Sequence, residues 1–586
     1  MDLEYLKHRG PDARGEWTSP GGRIWLGHTR LSIVDLSPTG AQPMHDPATG
    51  NVISFNGEIY NHRDLREEMR DAGVKWVGTS DTETLLVAYR IWGKDLLRRL
   101  KGMFAFVIYD AATGGLFIAR DPTGIKPLYY VRSMGMIRFA SETRPLMDGA
   151  APAYDRRSVS SYLQWGTCPE DGFIFPRVRV FPSGSWMTVN ADTSVETGHY
   201  WPAKSFPAVA SADAPARVRK LLEKAVDEHL MADVPVAAFL SGGIDSSVVT
   251  ALAAQAMGKG SLQTFCVGFP QGEFDESQIA GEVARRYGTD HHRIELREEE
   301  VIHLVQEAVD RMDAPSLDAI NTYIVSKKVA ESGIKVALSG LGGDELFGGY
   351  PSFHDAPILS RLSALPHWMR RLGSVFGKLG ERLADLPDGD LTTIAIWRRR
   401  LWTDAMLQRA GLPVNPLRTL PAPELRDDFA RISWAEMSVY MRQMLLRDSD
   451  QMSMAVSLEL RVPFLDTELI EYVMGLPAHE KTRYRITKGL LVEACRDLLP
   501  EQVYRRPKMG FALPMDAWMR GPLKAFKNAG LDEVERLALL APGAVEWIRG
   551  EFEDGKVHWT RLWSLVVLGH YLKKATATPA AQLQAA

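Results

Sequence analysis

The first two hundred residues alternate short apolar runs with turn-forming residues. Four runs have strand length and are bounded by Gly, Pro or Asp: 23–30, 51–56, 103–109 and 115–119. Residues 61–73 and 81–92 have helical spacing instead, and the second segment follows the capping sequence Thr79-Ser80. The pattern predicts an α+β sandwich of sheets flanked by helices over residues 1–200.

A Pro- and Ala-rich stretch at 201–216 predicts a linker after this region. From about residue 356 the pattern is mostly helical, and an Ala/Thr/Gln-rich tail at 576–586 is expected to fray. Between the linker and the helical part, three predicted strands alternate with helices: 234–240, 263–269 and 335–339. Such alternation is typical of a parallel α/β sheet that binds ligands at the C-terminal ends of its strands, so we predict a second domain over 217–575.

The turn at residues 241–247, Ser-Gly-Gly-Ile-Asp-Ser-Ser, joins a predicted strand to a helical run. Its small residues leave backbone N–H groups available to an anion at a helix N-terminus, above all a phosphate. A plain Gly/Ser linker would not explain an acid in this cradle, but Asp245 suits a Mg²⁺ ion carried by the phosphates. The turn lacks the lysine of a Gly-x-x-x-x-Gly-Lys-Ser/Thr loop. It resembles the pyrophosphate-binding loop of the ATP pyrophosphatases, which adenylate a substrate.

Composition excludes several other classes of protein. The chain has 586 residues, 45% hydrophobic and 24% charged, and its net charge of −4 argues against nucleic acid as a partner. No apolar run reaches the roughly 18 residues of a membrane-spanning helix, and the N-terminus has no apolar signal core. The three cysteines, Cys168, Cys266 and Cys495, lie too far apart for a disulfide framework or a metal pair. We therefore expect a cytoplasmic protein without a membrane partner.

Charged and polar residues of the first region could bind a zwitterion. Arg30 would hold an α-carboxylate, while Glu58 and Asp81 would hold an α-ammonium group. Asn56 and the Gly57 N–H could form an oxyanion hole. On spacing alone, solvated surface charges would be the more common explanation.

A series of motifs resolves this choice. In chain order they are HRGPD at 8–12, TRLSI at 29–33, FNGEIYN at 55–61, SDTE at 80–83, GMFAF at 102–106 and RDPTGIKPLYY at 120–130. The region resembles the glutaminase domain of the asparagine synthetase (glutamine-hydrolysing) family, a class II amidotransferase with an αββα N-terminal-nucleophile fold. The resemblance implies that Arg30, Asn56, Glu58 and Asp81 bind glutamine, and that Asn56 and Gly57 assist catalysis.

One departure concerns the nucleophile of that family, a cysteine directly after the initiator methionine. Its thiolate attacks the glutamine amide, with its own α-amine as base. Here residue 2 is Asp2, and Cys168, which is far from the N-terminus, is interpreted as structural. Two expectations stay open: a true start upstream that supplies the first strand and the cysteine, or a domain that binds glutamine without hydrolysing it.

The resemblance continues through the second region. Its motifs are TFCVGF at 264–269, ALSGLGGDELFGGY at 337–350, MSMA and RVPFLD within 450–466, TKGLL at 487–491, and RRPKMGF at 505–511. By resemblance Asp344 joins Asp245 in holding Mg²⁺, and Lys508 neutralises charge on the phosphates. The residues implied to bind ATP are Leu240, Ser241, Gly242, Gly243, Asp245, Ser246, Val267, Ser339 and Gly340. The implied fold is an α/β ATP pyrophosphatase domain with a helical C-terminal part.

The implied reaction uses ATP and Mg²⁺ to convert a carboxylate into an acyl-AMP and pyrophosphate. Ammonia, released from glutamine, then displaces AMP to form an amide, with aspartate as the default acceptor. Two departures loosen the choice of acceptor. Leu341 stands where many members carry an acid near the acyl intermediate, and residues 313–323 contain no arginine to bind a second carboxylate.

Two alternatives compete with an amide ligase. An amide-forming cyclase of the β-lactam synthetase or lasso-peptide type would suit an inactive glutaminase, but the retained Arg30 and Asp81 count against it. A non-catalytic glutamine or nucleotide sensor would not require Asp245, Asp344 and Lys508 together. The family makes a homodimer a reasonable expectation.

Overall fold

The computed structural model describes residues 2–133, 135–147, 154–170, 173–202, 204–209, 212–268, 277–372, 385–417, 422–484, 486–505 and 513–582. Lys508, predicted to be catalytic, lies outside these ranges. Across the described part of the chain, no helix is both long enough and apolar enough to cross a membrane.

The N-terminal half is built on a six-stranded antiparallel sheet in the order β11-β10-β6-β5-β4-β3. Its strands are β3 (Met44–His45), β4 (Val52–Ile59), β5 (Gly102–Asp110), β6 (Gly115–Arg120), β10 (Ser185–Val189) and β11 (Val195–His199). Two helices, α1 (His62–Glu68) and α2 (Asp81–Trp92), cover one face through a core that includes Phe55, Leu65 and Leu85. The central β5 has few polar residues because both of its faces are covered.

Two smaller sheets lie against the other face. One is the hairpin of β1 (Ala13–Thr18) and β2 (Trp25–Arg30). The other has the order β8-β7-β9, from β7 (Tyr129–Ser133), β8 (Met136–Ala140) and β9 (Arg179–Val180). Behind β7 and β8, helix α3 (Arg156–Trp165) packs together with helices of the C-terminal half. The outer helical layer is therefore partly supplied by the other half of the chain.

The second half is centred on a five-stranded parallel sheet in the order β14-β13-β12-β15-β16. Its strands are β12 (Val236–Phe239), β13 (Gln263–Gly268), β14 (Asp290–Glu295), β15 (Val336–Leu338) and β16 (Glu459–Arg461). The three predicted strands are present. The two outer strands escaped prediction because β14 is largely polar and β16 has only three residues.

Helices surround this sheet and make up most of the other described residues of this half. Those up to residue 372 are α4 (Ala214–His229), α5 (Ile244–Met257), α6 (Ser277–Tyr287), α7 (Glu298–Arg311), α8 (Ala319–Glu331), α9 (Gly343–Phe347), α10 (Ser352–Ser363) and α11 (His367–Leu372). Those after residue 384 are α12 (Leu391–Trp397), α13 (Asp404–Arg409), α14 (Asp428–Ala435), α15 (Arg447–Met454), α16 (Thr467–Gly475), α17 (Ala478–Thr482), α18 (Gly489–Ala494), α19 (Glu501–Arg505), α20 (Met515–Arg520), α21 (Lys524–Arg536), α22 (Ala544–Glu553) and α23 (Trp559–Gln582).

Two helices differ from the sequence prediction at their ends. Helix α4 begins at Ala214, inside the stretch predicted as a linker, because the Asp213 side chain caps it and a proline occupies its first turn. Helix α23 continues to Gln582, into the segment predicted to fray. A π-helical segment, Glu436–Leu446, joins α14 to α15.

Candidate active site

The turn after β12 forms the first wall of a pocket at the C-terminal edge of the parallel sheet. Ser246 Oγ accepts a hydrogen bond from the Ser241 N–H at 3.2 Å, and Ser241 Oγ accepts one from the Gly243 N–H at 3.3 Å. Gly242 has a φ of 75°, which glycine adopts without strain. These contacts shape a turn at the N-terminus of α5, where a helix attracts anions.

A second glycine-rich turn follows β15 and packs directly against the first. A Cβ atom on Gly340 would lie 2.8 Å from Asp245 Cβ and from the Ser246 backbone nitrogen. A Cβ atom on Gly343 would lie 2.4 Å from Asp245 Oδ1. The glycines thus allow the two turns to touch and bring Asp344, in the first turn of α9, close to Asp245.

Lys488 joins the two acids. Its Nζ lies 2.6 Å from Asp344 Oδ1 and also contacts Asp245 Oδ2, and its side chain is only 5% exposed. Burial alone would lower the pKa of Lys488, but the two carboxylates outweigh that effect and raise it. The residue has a φ of 55° and immediately precedes α18. Sequence reasoning noted residues 487–491 only as a helix start and missed this contact.

One cavity of about 390 Å³, a size typical of small-ligand pockets, is lined by the two turns together with Val267 and Lys488. We call it the nucleotide-type cavity. The residues predicted to bind ATP that line it are Leu240, Ser241, Gly243, Asp245, Ser246, Val267, Ser339 and Gly340. Gly242 belongs to the same turn. Most of the residues predicted to bind ATP therefore lie on the wall of one cavity.

The donor set at the two acids suits a hard cation. Asp245 and Asp344 offer carboxylate oxygens, which Mg²⁺ prefers, and the pair already holds the cationic ammonium group of Lys488. Within the described ranges, no group of three or more His, Cys, Asp or Glu residues could hold a metal by itself. Two carboxylates fit Mg²⁺, which commonly completes its coordination with phosphate oxygens and water.

The same cavity is also lined by Leu341, Glu345 and Tyr350. The Tyr350 hydroxyl donates to Glu345 Oε1 at 2.7 Å, while burial and the nearby Asp344 raise the pKa of Glu345 to about 7. Behind this wall, the Arg399 guanidinium lies 4.3 Å from the ring centre of Tyr350. Residues 313–323 contain no arginine, but the fold places Arg399, which follows α12, against the ring of Tyr350.

A second cavity, of about 480 Å³, lies in the N-terminal half, and we call it the glutamine-type cavity. It is lined by the residues predicted to bind glutamine: Arg30, Asn56, Gly57, Glu58 and Asp81. Gly57 has a φ of 144°, and a Cβ atom there would lie 2.0 Å from the Met103 carbonyl oxygen, so only glycine fits. Asn56 Nδ2 is buried and makes no hydrogen bond to the described residues. This amide donor is available to a ligand. Surface charges, the common alternative, do not describe this cluster.

Electrostatics distinguish the two acids of this cavity. Burial raises the pKa of Asp81 to about 6, although Asp81 Oδ2 accepts a hydrogen bond from the Ile59 N–H at 2.9 Å. Burial and the Asp81 carboxylate also raise the pKa of Glu58, which Arg461 counteracts from 3.3 Å. Arg461 belongs to β16 in the other half of the chain, and no sequence pattern indicated this contact.

The cysteines lie elsewhere. Cys168 is fully buried in the hydrophobic core beside α3, and burial raises the pKa of its thiol to about 11. Cys266 lies on β13 at the nucleotide-type cavity, with Sγ 3.7 Å from His291 Nε2. Cys495 is buried just after α18. None of the three belongs to the lining of the cavity that contains Asn56.

Comparison with known proteins assigns both halves of the chain. The glutamine amidotransferase domain model matches residues 2–201, and the asparagine synthase model matches residues 217–580. The chain is 31% identical to asparagine synthetase [glutamine-hydrolyzing] 1 of Bacillus subtilis over 96% of this chain and 91% of that protein. It is 32% identical to asparagine synthetase [glutamine-hydrolyzing] 3 of the same organism over 86% of this chain and 82% of that protein.

A further relative has a different name. The amidase chry2 of Gibberella zeae is 30% identical over 89% of this chain and 85% of that protein. The two family models together with the asparagine synthetases of B. subtilis decide the assignment. This chain belongs to the asparagine synthetase (glutamine-hydrolysing) family and is an asparagine-synthase-like ligase.

Proposed function

We propose that the protein uses ATP to adenylate a carboxylate and then converts the acyl-AMP into an amide, with aspartate as the default acceptor. The observation that carries this proposal is the meeting of Asp245, Asp344 and Lys488 between two glycine-rich turns at one sheet edge. Removing two carboxylates and an ammonium group from water costs desolvation energy, which a site that only binds a nucleotide would not need to spend on all three groups.

In this proposal the turn before α5 binds the phosphates of ATP. The Gly243 N–H and the hydroxyls of Ser241 and Ser246 lie at the helix N-terminus, where they can donate to phosphate oxygens. Ser339, Gly340 and Val267 would contact the nucleoside. Asp245 and Asp344 would hold Mg²⁺, which when bound neutralises the β- and γ-phosphates and eases departure of pyrophosphate.

Two lysines would share the remaining charge. Lys488 keeps the two carboxylates together before Mg²⁺ arrives, and its ammonium group can then turn to a phosphate oxygen within the same cavity. Lys508 is proposed to neutralise charge that develops during adenylation and amide formation, as in the family. The assay below separates the two steps, because pyrophosphate formation reports the adenylation, and AMP and amide formation report the second step.

The acceptor would lie against Leu341, Glu345 and Tyr350. Leu341 supplies no charge for an α-ammonium group, so Glu345, an acid of the same lining that is not assigned to Mg²⁺, would bind one. Its pKa of about 7 means that an ammonium group would draw it into the ionised form. Aspartate carries such a group, and an acceptor without one remains the alternative.

Glutamine or ammonia is the proposed nitrogen donor. Arg30 would bind the α-carboxylate of glutamine, Glu58 and Asp81 its ammonium group, and Asn56 with the Gly57 N–H its side-chain oxygen. Hydrolysis needs a nucleophile that attacks the carbon of this side-chain amide, and none of the three cysteines lines this cavity. Ammonia is therefore the donor for the first assay. A cytoplasmic homodimer is part of the proposal by family resemblance.

The test measures AMP, pyrophosphate and amide with Mg-ATP, ammonium chloride and a panel of carboxylic acids that includes aspartate, glutamate and acids without an ammonium group. We expect AMP and amide in equal amounts with at least one acid. A parallel arm replaces ammonia with glutamine and distinguishes hydrolysis from binding. Absence of AMP with every acid and both donors would refute the proposal.

A further inference from the structure

Arg461 is a fully enclosed charged side chain at the boundary between the two halves. Its exposure is 0%, and each of its nitrogens faces a different partner. Nε donates to Glu459 Oε1 at 3.0 Å, and Nη1 donates to the carbonyls of His229 and Met231 at 2.9 and 2.6 Å. Nη2 lies 3.3 Å from Glu58 Oε1 in the glutamine-type cavity. Three of the four contacts of the guanidinium are thus to residues of the C-terminal half. The fourth, to Glu58, is to the N-terminal half.

The backbone of Arg461 reaches the other cavity. Its carbonyl accepts a hydrogen bond from the Ser339 N–H at 2.8 Å, and it pairs with Leu338 in the parallel register of β15 and β16. Ser339 opens the turn whose Gly340 packs against Asp245. One residue therefore contacts an acid of the glutamine-type cavity by its side chain and the nucleotide-type turn by its main chain.

We propose that Arg461 is a positioning residue that couples the two cavities, so that glutamine bound at Glu58 and a nucleotide bound at Ser339 strengthen each other's binding. The inference rests on the proposed function of the two cavities. The physical basis is the rigidity of β16, which has only three residues, all of them buried. A shift of the Ser339 turn would therefore be passed on to Arg461 and would move its guanidinium relative to Glu58. Binding energies coupled in this way are reciprocal.

The charges around Glu58 explain why this contact matters for an ammonium ligand. Asp81 and Glu459 repel its negative charge, while Arg461 and, more remotely, Lys126 attract it. Lys126 Nζ is engaged at 3.1 Å by Glu459, so Arg461 is the cation in direct contact with Glu58. Loss of the guanidinium would raise the pKa of Glu58 further, because Arg461 offsets part of the effect of burial and Asp81. A neutral Glu58 loses most of its attraction for an ammonium group.

The first experiment measures glutamine binding by isothermal titration at pH 7 in four proteins: wild type, Arg461→Met, Glu58→Gln and the double variant. We expect Arg461→Met to weaken binding about tenfold in the wild-type background and to have little further effect in the Glu58→Gln background. Equal effects in both backgrounds would show that Arg461 does not act through Glu58.

The second experiment measures coupling, and it uses Arg461→Lys, which retains the charge should the methionine variant fail to fold. Glutamine is titrated with and without the magnesium complex of α,β-methylene-ATP. We expect the analogue to tighten glutamine binding about fivefold in the wild type and not in Arg461→Lys, because lysine cannot reproduce the fork of contacts. Arg120→Lys is the matched control: Arg120 is also buried and donates to three carbonyls, but these belong to Gly124, Lys126 and Phe181.

The outcomes separate the inference from the function on which it rests. A wild-type protein that binds no glutamine would overturn the glutamine half of the proposed function and this inference together. Glutamine binding that is unaffected by the analogue, or coupling that persists in Arg461→Lys, would overturn the inference alone. Loss of coupling in Arg120→Lys as well would also overturn it, since the effect would then follow from replacing any buried arginine.

Discussion

Replacement of Lys488 by methionine tests the arrangement at the heart of the adenylation site. The side chain keeps a similar length but loses the ammonium group that contacts both Asp245 and Asp344. The glycine-rich turns pack against each other and bring the two carboxylates close together. The variant therefore leaves two partly buried acids, 14% and 19% exposed, facing each other.

The expected loss of stability follows from this repulsion. Two unit charges about 5 Å apart interact with about 3 kcal/mol at an effective dielectric constant of about 20. Removal of one partner from a buried ion pair typically costs about 3–5 kcal/mol. We expect the free energy of unfolding to fall by about 3 kcal/mol. This is the lower end of that range, because one carboxyl group can take up a proton and so relieve the repulsion.

Urea denaturation at pH 7 without nucleotide measures this loss, with EDTA in one series and Mg²⁺ in the other. Mg²⁺ should stabilise Lys488→Met more than the wild type, because the variant's acids have no competing ammonium group. Lys481→Met is the matched control. Lys481 is equally buried, but its Nζ donates to the Val473 carbonyl at 3.3 Å, away from the two acids.

The outcomes that refute this reasoning are specific. An unchanged free energy of unfolding in Lys488→Met would mean that the carboxylates do not need the ammonium group. Equal stabilisation of variant and wild type by Mg²⁺ would mean that the two acids are not the metal's ligands. An equal Mg²⁺ response in Lys481→Met and Lys488→Met would assign the effect to general loss of a buried lysine.

Three further predictions concern single residues. Glutamine binding, measured by titration calorimetry from pH 5 to 8, should weaken as the pH falls through about 6, because the ammonium group needs ionised Asp81, and Asp81→Asn should bind weakly with a flat profile. Gly340→Ala should raise the Kd for ATP about tenfold and lower the free energy of unfolding by about 1–3 kcal/mol, because its Cβ would lie 2.8 Å from Asp245 Cβ. Gly550→Ala is the control, because Gly550 faces open space on α22. It should stabilise the protein by about 0.5–1 kcal/mol in the same denaturation series. Leu341→Glu should lower the KM for acceptors with an α-ammonium group relative to those without one, and an unchanged ratio would remove this residue from the acceptor site.

Local patterns predicted the parts of the site that depend on strand ends and turns. The segment 241–247 follows β12 and leads into the first turn of α5, as its small residues between two apolar runs indicated. Asp344 approaches Asp245 because β12 and β15 are neighbours in a parallel sheet, so the turns after them meet at one edge. Arg30 and Asp81 became interpretable through the family motifs, since spacing alone did not distinguish a buried cluster from surface charges.

Long-range ion pairs could not be predicted in this way. Lys488 and Asp245 are more than two hundred residues apart, and neither the helix start at 487–491 nor any period in the sequence indicates the contact. The same holds for Arg461 and Glu58, which belong to different halves of the chain. Arg399 approaches Tyr350 through the packing of α12, although the acceptor-side segment has no arginine of its own. These contacts are set by how the elements pack.

The central claim, adenylation of a carboxylate, is tested most directly by oxygen transfer. The acceptor acid identified in the ammonia assay is supplied with both carboxylate oxygens as ¹⁸O, and the AMP is analysed by mass spectrometry. An acyl-AMP intermediate predicts that one ¹⁸O atom from the acid appears in the phosphate of each AMP molecule. AMP that carries no oxygen from the acid, or that takes its new oxygen from labelled water, would contradict the proposed reaction.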